Sequence, residues 1–116
     1  MIHLDAQVTM MRADVARMMA HDGDVARFGD NLFVDLDLSE ANLPPGTLIA
    51  IGTTLVVVTD KPHSGCARFE ARAGGPALEM TRDARWRNLR LRGINVRVVE
   101  EGEVANGDGI VVHRVR

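Results

Sequence analysis

Two apolar segments in the middle of the chain constrain the fold more than any other feature. They are "TLIAIG" at residues 47–52 and "TTLVVVTD" at residues 53–60, and Gly52 and Thr53 stand where they meet. Their β-branched side chains favour strands, and their junction predicts a tight turn between the two. Because both are apolar almost throughout, we expect strands covered on both faces, as in a small closed barrel.

The flanking sequence predicts further strands and turns. In "NLFVDLDLSE", residues 31–40, every second residue from Leu32 to Leu38 is apolar, which is typical of a half-buried strand. Pro44-Pro45-Gly46 predicts a turn before the central pair. Near the C-terminus, "GINVRVVEEGEV" and "GIVVHRVR" predict two more strands, and Asn106-Gly107 predicts the hairpin turn between them.

Two helices are expected beside about six strands. The first would present an apolar face to the core, with Thr9 as its N-cap; the face consists of Met11, Val15, Met18 and Met19. The second is "PALEMTRDARW", residues 76–86, which starts with proline after Gly74-Gly75 and whose Trp86 is expected to anchor it against the barrel. These elements predict a mainly β, barrel-like domain.

Length and composition restrict the class of protein. The 116 residues suit a single domain, and because only 3% are aromatic, its core must be built from Val, Leu, Ile and Met. No apolar run reaches the roughly 18 residues of a membrane span, and "MIHLDAQ" has no signal-peptide pattern. A single cysteine fits a reducing cytoplasm. The formal net charge of −2 argues against general nucleic-acid binding.

Charge is nevertheless distributed unevenly along the chain. Acidic residues are frequent between positions 22 and 40, whereas arginines crowd the stretch from Arg82 to Arg97. One interpretation is a solvated basic face. The other is an anion pocket, because arginine guanidinium groups match the oxygens of phosphates and carboxylates.

The single cysteine, Cys66, lies in "KPHSGCARF", residues 61–69. If Ser64 caps a short helix, the thiol of Cys66 lies at the helix start, where unpaired N–H groups favour the thiolate and lower its pKa. Such a thiolate can act as a nucleophile, accept a sulfane sulfur or bind a soft metal. The alternatives are an inert connecting residue, a redox-sensing thiol, a protease dyad with His63, or a zinc half-site, for which the chain has no second cysteine.

Five segments in order resemble the MOSC domain, the family named after the C-terminal domain of molybdenum cofactor sulfurase. They are "GDNL" at 29–32, "PPGTLIAIG" at 44–52, "LVVVTDKPHSGCARF" at 55–69, "RG" at 92–93 and "GEVANGD" at 102–108. The Pro-His-Ser-Gly-Cys form is similar to one bacterial subgroup. The resemblance covers most of the chain from about Val8 onward.

The resemblance implies a small MOSC-like β-barrel with two or three short helices, and a function centred on Cys66. Cys66 would serve as a persulfide carrier or as a ligand of molybdenum in the molybdenum cofactor, a molybdopterin. Asn31 matches the asparagine of the first motif and Arg92 the arginine of "RG", and both are expected to bind the anionic cofactor. Lys61, His63 and Arg68 would complete that site and tune the thiolate.

The same resemblance implies partners and one alternative. A cysteine desulfurase or another pyridoxal-phosphate enzyme would donate the sulfur, and a molybdoenzyme, a redox partner or a second copy of the chain would be further partners. The family's usual N-terminal glycine-rich segment does not precede the first motif, so one pocket wall is expected to be missing, supplied by another subunit, or encoded upstream of Met1. The alternative is therefore a non-catalytic small-molecule or partner-binding β-barrel with a degenerate cysteine pocket.

Overall fold

A computed structural model describes residues 7–20, 24–25, 30–61 and 74–114. Within these ranges the chain forms six strands and three short helices, which confirms the expected mainly β class. The strands are β1 (Val8–Arg12), β2 (Leu32–Val34), β3 (Leu48–Ile51), β4 (Thr54–Val58), β5 (Ile94–Glu100) and β6 (Ile110–His113). The helices are α1 (Ala13–Met19), α2 (Gly75–Arg82) and a 3-10 helix (Ala84–Leu89).

The six strands form one curled sheet in the order β2-β1-β5-β4-β3-β6. Only β1 and β2 run parallel, and all other neighbours are antiparallel. The predicted β3–β4 hairpin is confirmed, with Ile51 paired to Thr54 across a turn in which Gly52 has a φ of 57°. Side chains of both edge strands pack against one inner cluster, which shows that the sheet curls around it. This inner core consists of Met10, Val34, Leu38, Leu43, Ile49, Ile51, Val56, Val58, Ile94 and Val96.

A second, smaller cluster covers the outer face of the sheet. Met11 of β1 packs there against Ala16 and Met19 of α1. The predicted helix is therefore shorter than expected: residues 8–12 form a strand, so Thr9 is no N-cap, and Met18 is 61% exposed. The physical reason is that a strand places consecutive side chains on opposite faces, which lets Met10 and Met11 fill two different cores.

The turn at Asn106-Gly107 forms, but not as part of the predicted hairpin. Gly107 has a φ of 88°, and the Asp108 amide donates to the Ala105 carbonyl at 3.1 Å. However, β5 pairs with β1 and β4, whereas β6 pairs with β3. The connecting segment packs against the β3–β4 turn, where the Thr53 amide donates to the Glu103 carbonyl at 3.1 Å. After β5, the chain therefore crosses the turn of the β3–β4 hairpin and does not fold back on β5.

The predicted second helix divides into two pieces at Asp83. The extended backbone of Asp83 ends α2, and its carboxylate accepts the Arg85 amide at 2.9 Å to start the 3-10 helix. The hydrogen bonds from Arg85 hold the pKa of Asp83 below its ordinary value. Trp86 is 44% exposed, with the Arg85 guanidinium 5.7 Å from its ring centre. Trp86 is therefore not part of the buried core, and its packing against the barrel stays a prediction.

Candidate functional site

Three of the predicted site residues lie within the described part of the chain, namely Asn31, Lys61 and Arg92. Cys66, His63 and Arg68 lie outside the described residues, so their predicted roles stay predictions. The site is therefore built from the described strands near Lys61, the residue directly before the cysteine segment, residues 62–73.

Asn31 ties the start of β2 to β1. Its side-chain oxygen accepts hydrogen bonds from the Thr9 amide at 2.9 Å and from the Thr9 hydroxyl at 3.3 Å. The backbone N–H of Asn31 donates to the same hydroxyl at 3.2 Å. This reciprocal pair gives Asn31 a definite structural task at the first motif of the family.

Asn95 of β5 is a third polar residue beside Asn31 and Thr9. Thr9 pairs with Asn95 in the sheet register, and both side chains lie on the outer face because Met10 and Ile94 face the inner core. Asn95 is only 4% exposed, and its amide donates to the Lys61 carbonyl at 3.1 Å. We call Asn31, Thr9 and Asn95 the outer polar row. Its last member, Asn95, binds the carbonyl of Lys61, which directly precedes the cysteine segment.

Arg92 lies in a buried ion pair. Its guanidinium is 2.5 Å from the Asp30 carboxylate and 3.8 Å from the Met11 sulfur. The Asp30 side chain has no solvent exposure and Arg92 is 9% exposed. The pair joins the residues just before β2 to those just before β5. The guanidinium of Arg92 is therefore paired with a carboxylate of the protein itself.

Two other arginines of the basic stretch, Arg90 and Arg85, also contact protein acceptors. Arg90, in a left-handed conformation with φ of 52°, donates to the Leu38 carbonyl at 3.3 Å and to the Leu43 carbonyl at 2.6 Å. Burial lowers the pKa of this guanidinium, although Glu40 acts in the opposite direction. Arg85 pairs with Asp83 at 2.8 Å. Arg92, Arg90 and Arg85 thus each contact a different part of the protein and do not converge on one anion.

A groove of about 660 Å³ lies between β2 and the turn that precedes β6. Asn31 borders it, whereas Arg92 is not among its described lining residues. The described charges along it are the carboxylates of Asp35 and Asp108. These charges do not match an anionic ligand, so the groove does not unite Asn31 and Arg92 in a phosphate site.

Among the residues that the structure describes, no group of three or more His, Cys, Asp or Glu side chains is arranged to hold a metal ion. In the same ranges, no helix has the length and apolar character needed to cross a bilayer.

Sequence reasoning did not single out Asn95 or Asp30. Asn95 stands between Ile94 and Val96 on the outer side of β5, and a polar residue in so apolar a strand was the available signal. Asp30 is the acidic residue of the "GDNL" motif, and the motif alone does not indicate a role for it. Both residues act on partners far away in sequence, which the motifs alone did not reveal.

The chain belongs to the MOSC domain family, whose model matches residues 3–111. This range includes every predicted site residue. No curated protein sequence matches the chain significantly.

Solved structures show the same fold at low sequence identity. YiiM from Geobacillus stearothermophilus has a TM-score of 0.66 at 20% identity, with 96% of this chain and 56% of that chain covered. YiiM from Escherichia coli has a TM-score of 0.61 at 19% identity, with 97% and 57% covered. The YuaD protein from Bacillus subtilis has a TM-score of 0.54 at 16% identity, with 99% and 68% covered. The chain thus spans little more than half the length of the YiiM structures.

Proposed function

We propose that this MOSC domain carries sulfur as a persulfide on Cys66, received from a pyridoxal-phosphate cysteine desulfurase. The family match supports a MOSC function, and Cys66 is the chain's only cysteine and lies inside the matched range. Lys61, His63 and Arg68 stand close to it in sequence. Cations near a thiol favour the thiolate, which is the reactive form in sulfur transfer.

The observation that favours sulfur transport over molybdenum-cofactor binding is the Arg92–Asp30 pair. The molybdenum cofactor associated with the family carries a phosphate, which needs an accessible cation. Arg92 is buried against Asp30, and Arg90 and Arg85 already contact protein oxygens. Arg92, the arginine that the resemblance assigns to the cofactor, therefore does not fit that role, and no step of the proposal passes through the cofactor.

The proposed step is a thiol–persulfide exchange in which no electrons are gained or lost overall. The Cys66 thiolate attacks the terminal sulfur of the donor's persulfide and forms a new S–S bond. The donor's own S–S bond breaks, and the donor leaves as a thiolate. The proton of the transferred sulfur stays on the new persulfide or passes to solvent. An acceptor protein or small molecule then takes the sulfur by the same exchange.

Labelled cysteine tests the proposal directly. The protein is incubated with a cysteine desulfurase and sulfur-labelled cysteine, and the Cys66 peptide is analysed by mass spectrometry. We expect one added sulfur atom, released by a thiol reductant and absent from the Cys66→Ser variant. No label on Cys66 would refute the sulfur-carrier function, and molybdopterin retained on purification would favour the cofactor function instead.

The non-catalytic barrel makes a different prediction for the thiol. A degenerate cysteine pocket should leave the thiol near its free pKa of about 8.5. A sulfur carrier should show a clearly lower value in the pH dependence of iodoacetamide alkylation. Because the chain has one cysteine, this alkylation reports on Cys66 alone.

A further inference from the structure

We propose that the groove between β2 and the start of β6 is a docking site for an extended peptide in which apolar residues alternate with lysine or arginine. The peptide would add to the open sheet as a further strand. This binding function goes beyond the proposed sulfur transfer and does not depend on Cys66.

The groove lies between the two edges of the sheet. In the sheet formed by the described residues, β2 has β1 as its only neighbour and β6 has only β3. Residues 31–36, at and after β2, line one side of the groove, and residues 104–108 with Ile110 line the other. An edge strand presents backbone N–H and C=O groups on its open side, which another chain can pair with. The groove is therefore placed where an added strand meets hydrogen-bonding partners.

The hydrogen-bond pattern of β6 gives the direction of its backbone at the groove. The Gly52 amide donates to the Gly109 carbonyl at 3.3 Å, and the next pair in the register is Ile51 with Ile110. Hydrogen-bonded and non-hydrogen-bonded pairs alternate along an antiparallel ladder. Ile110 is therefore in a non-hydrogen-bonded pair, so its N–H and C=O point away from β3, toward the open edge.

The floor of the groove is apolar. Val34 and Ile51, which line it, belong to the buried inner core. Leu32, Leu36 and Ile110 also line it and pack against that core while remaining partly exposed. An apolar side chain that enters the groove therefore removes both its own surface and that of these residues from water.

The charges along the groove select the sign of the partner. Its described lining residues include two carboxylates, those of Asp35 and Asp108, and no lysine, arginine or histidine. Asp35 is exposed directly after β2. The Asp108 carboxylate is held in the turn by the Ala105 amide, which donates to it at 2.7 Å. Cationic side chains complement this lining, whereas an acidic peptide would be repelled.

Both requirements are met by a single sequence pattern in the partner. Successive side chains of a strand point to opposite faces, so alternate residues of a docked strand face the apolar floor and the remaining ones face outward. Apolar residues in the first set and lysine or arginine in the second match the floor and the carboxylates together. Strand addition to a sheet edge is an established mode of peptide recognition, in which the backbone supplies affinity and the alternate side chains supply specificity.

Fluorescence anisotropy tests the proposal with the full chain and three labelled hexapeptides. The first peptide alternates lysine and valine, and the second has the same composition with the three lysines before the three valines. The third is the alternating peptide with every second backbone nitrogen methylated, which removes donors but keeps the charge. We expect saturable binding of the alternating peptide and about fivefold weaker binding, or less, of the other two, as the loss of one or two hydrogen bonds implies.

Two charge-reversal variants locate the bound peptide. Asp35→Lys changes the groove, and Glu79→Lys is the matched control, because Glu79 is exposed on α2 and is not among the groove's described lining residues. Both substitutions change the net charge equally. We expect Asp35→Lys to weaken binding of the alternating peptide about fivefold and Glu79→Lys to leave it unchanged. If circular dichroism shows that Asp35→Lys does not fold, Asp35→Asn takes its place, with a loss of about twofold.

Four results would overturn the inference. The first is an alternating peptide that shows no saturable binding, and the second is equal binding of all three peptides, which would mean attraction of any cation by charge alone. The third is equal weakening by Asp35→Lys and Glu79→Lys. The fourth is a dimer of the chain alone in sedimentation velocity that Asp35→Lys dissociates, because the groove would then hold a second copy. Sulfur labelling of Cys66 is measured separately, so neither proposal's failure imitates that of the other.

Discussion

The guanidinium of Arg92 and the carboxylate of Asp30 lie 2.5 Å apart with almost no solvent contact. Removing one member of a buried pair leaves the other charge uncompensated, which typically costs several kcal/mol. We therefore expect Asp30→Leu to lower the free energy of unfolding by about 3 kcal/mol. Urea denaturation followed by circular dichroism measures this change.

Two further variants identify the cause of that loss. The double variant Asp30→Leu with Arg92→Met has no unpaired charge, so it should be more stable than Asp30→Leu alone. Asp83→Asn removes the exposed pair with Arg85 and should change stability far less. If Asp30→Leu and Asp83→Asn cost the same, the Arg92–Asp30 pair does not contribute as a buried pair.

Asp37 predicts a pH dependence of stability. The Ser39 amide donates to its carboxylate at 2.9 Å and, with a smaller effect from the Ser39 hydroxyl, lowers the pKa of Asp37. A carboxyl with a lowered folded-state pKa stabilises the fold above its unfolded value of about 3.9, and this contribution is lost as pH falls through the folded value. The stability advantage of the wild type over Asp37→Asn should therefore shrink below about pH 4.

Urea denaturation at pH 7 and at several pH values below 4 measures that advantage. Ser39→Ala is the informative control, because it removes only the hydroxyl and keeps the amide that dominates the shift. It should retain most of the pH dependence. An advantage that is constant with pH would mean that Asp37 is not stabilised in its charged form.

At the scale of residues, local sequence patterns did not reveal the contacts that the predicted site residues make. Asn31 and Arg92 were selected by motif, yet their described contacts are with Thr9 and Asp30. Asp30 lies 62 positions from Arg92, and Lys61 lies 34 positions from Asn95. Such contacts are made only when distant strands become neighbours, so no local pattern could have predicted them.

At the scale of elements, the β3–β4 turn packs closely against the segment that connects β5 to β6. A Cβ at Gly52 would meet the Glu103 carbonyl oxygen and lie 2.5 Å from an Asp108 carboxylate oxygen. Gly52 also has a positive φ. We expect Gly52→Ala to lower the free energy of unfolding by about 3 kcal/mol, since steric overlap with backbone adds to the strain.

Gly107→Ala is the matched control for this prediction. Gly107 also has a positive φ, but a Cβ there would meet no atom within 4 Å. Its substitution should cost only the left-handed strain of about 1 kcal/mol. Urea denaturation of both variants separates strain from overlap, and equal costs would show that the turn does not pack closely against residue 103.

Elements were predicted well where their patterns are local. The β3–β4 hairpin follows from two apolar segments with a glycine between them, and it forms with Leu48 paired to Val57. The β5–β6 hairpin was predicted by the same logic from Asn106-Gly107 and does not form. The difference is tertiary: β6 pairs with β3 from Ile110 to His113, and the connecting segment is held by Thr53. A turn signal specifies the turn but not the partner of the strand that follows it.

At the scale of the molecule, one sheet separates two apolar clusters. The inner core lies inside the curl, and the outer cluster of Met11, Ala16, Met19 and Ala20 lies against α1. The outer polar row shares the outer face with this cluster, and Asn95 of that row binds the Lys61 carbonyl. Low aromatic content correctly predicted aliphatic and methionine cores, but not their division between two faces.

This division predicts independent contributions to a single unfolding transition. Ile49→Val in the inner core should cost about 1 kcal/mol, and Met19→Ala in the outer cluster about 2 kcal/mol. Because the two residues belong to separate clusters, the loss of stability in the double variant should equal the sum of the two single losses within about 0.5 kcal/mol.

Circular dichroism reports on the sheet, and fluorescence of Trp86, the chain's only tryptophan, reports on the 3-10 helix. Coincident urea transitions by both probes are expected if the sheet unfolds as one unit. Separate transitions would mean that the helical segment unfolds without the sheet. In the double variant, a coupling energy well above about 0.5 kcal/mol would mean that the two clusters are energetically coupled through the strands.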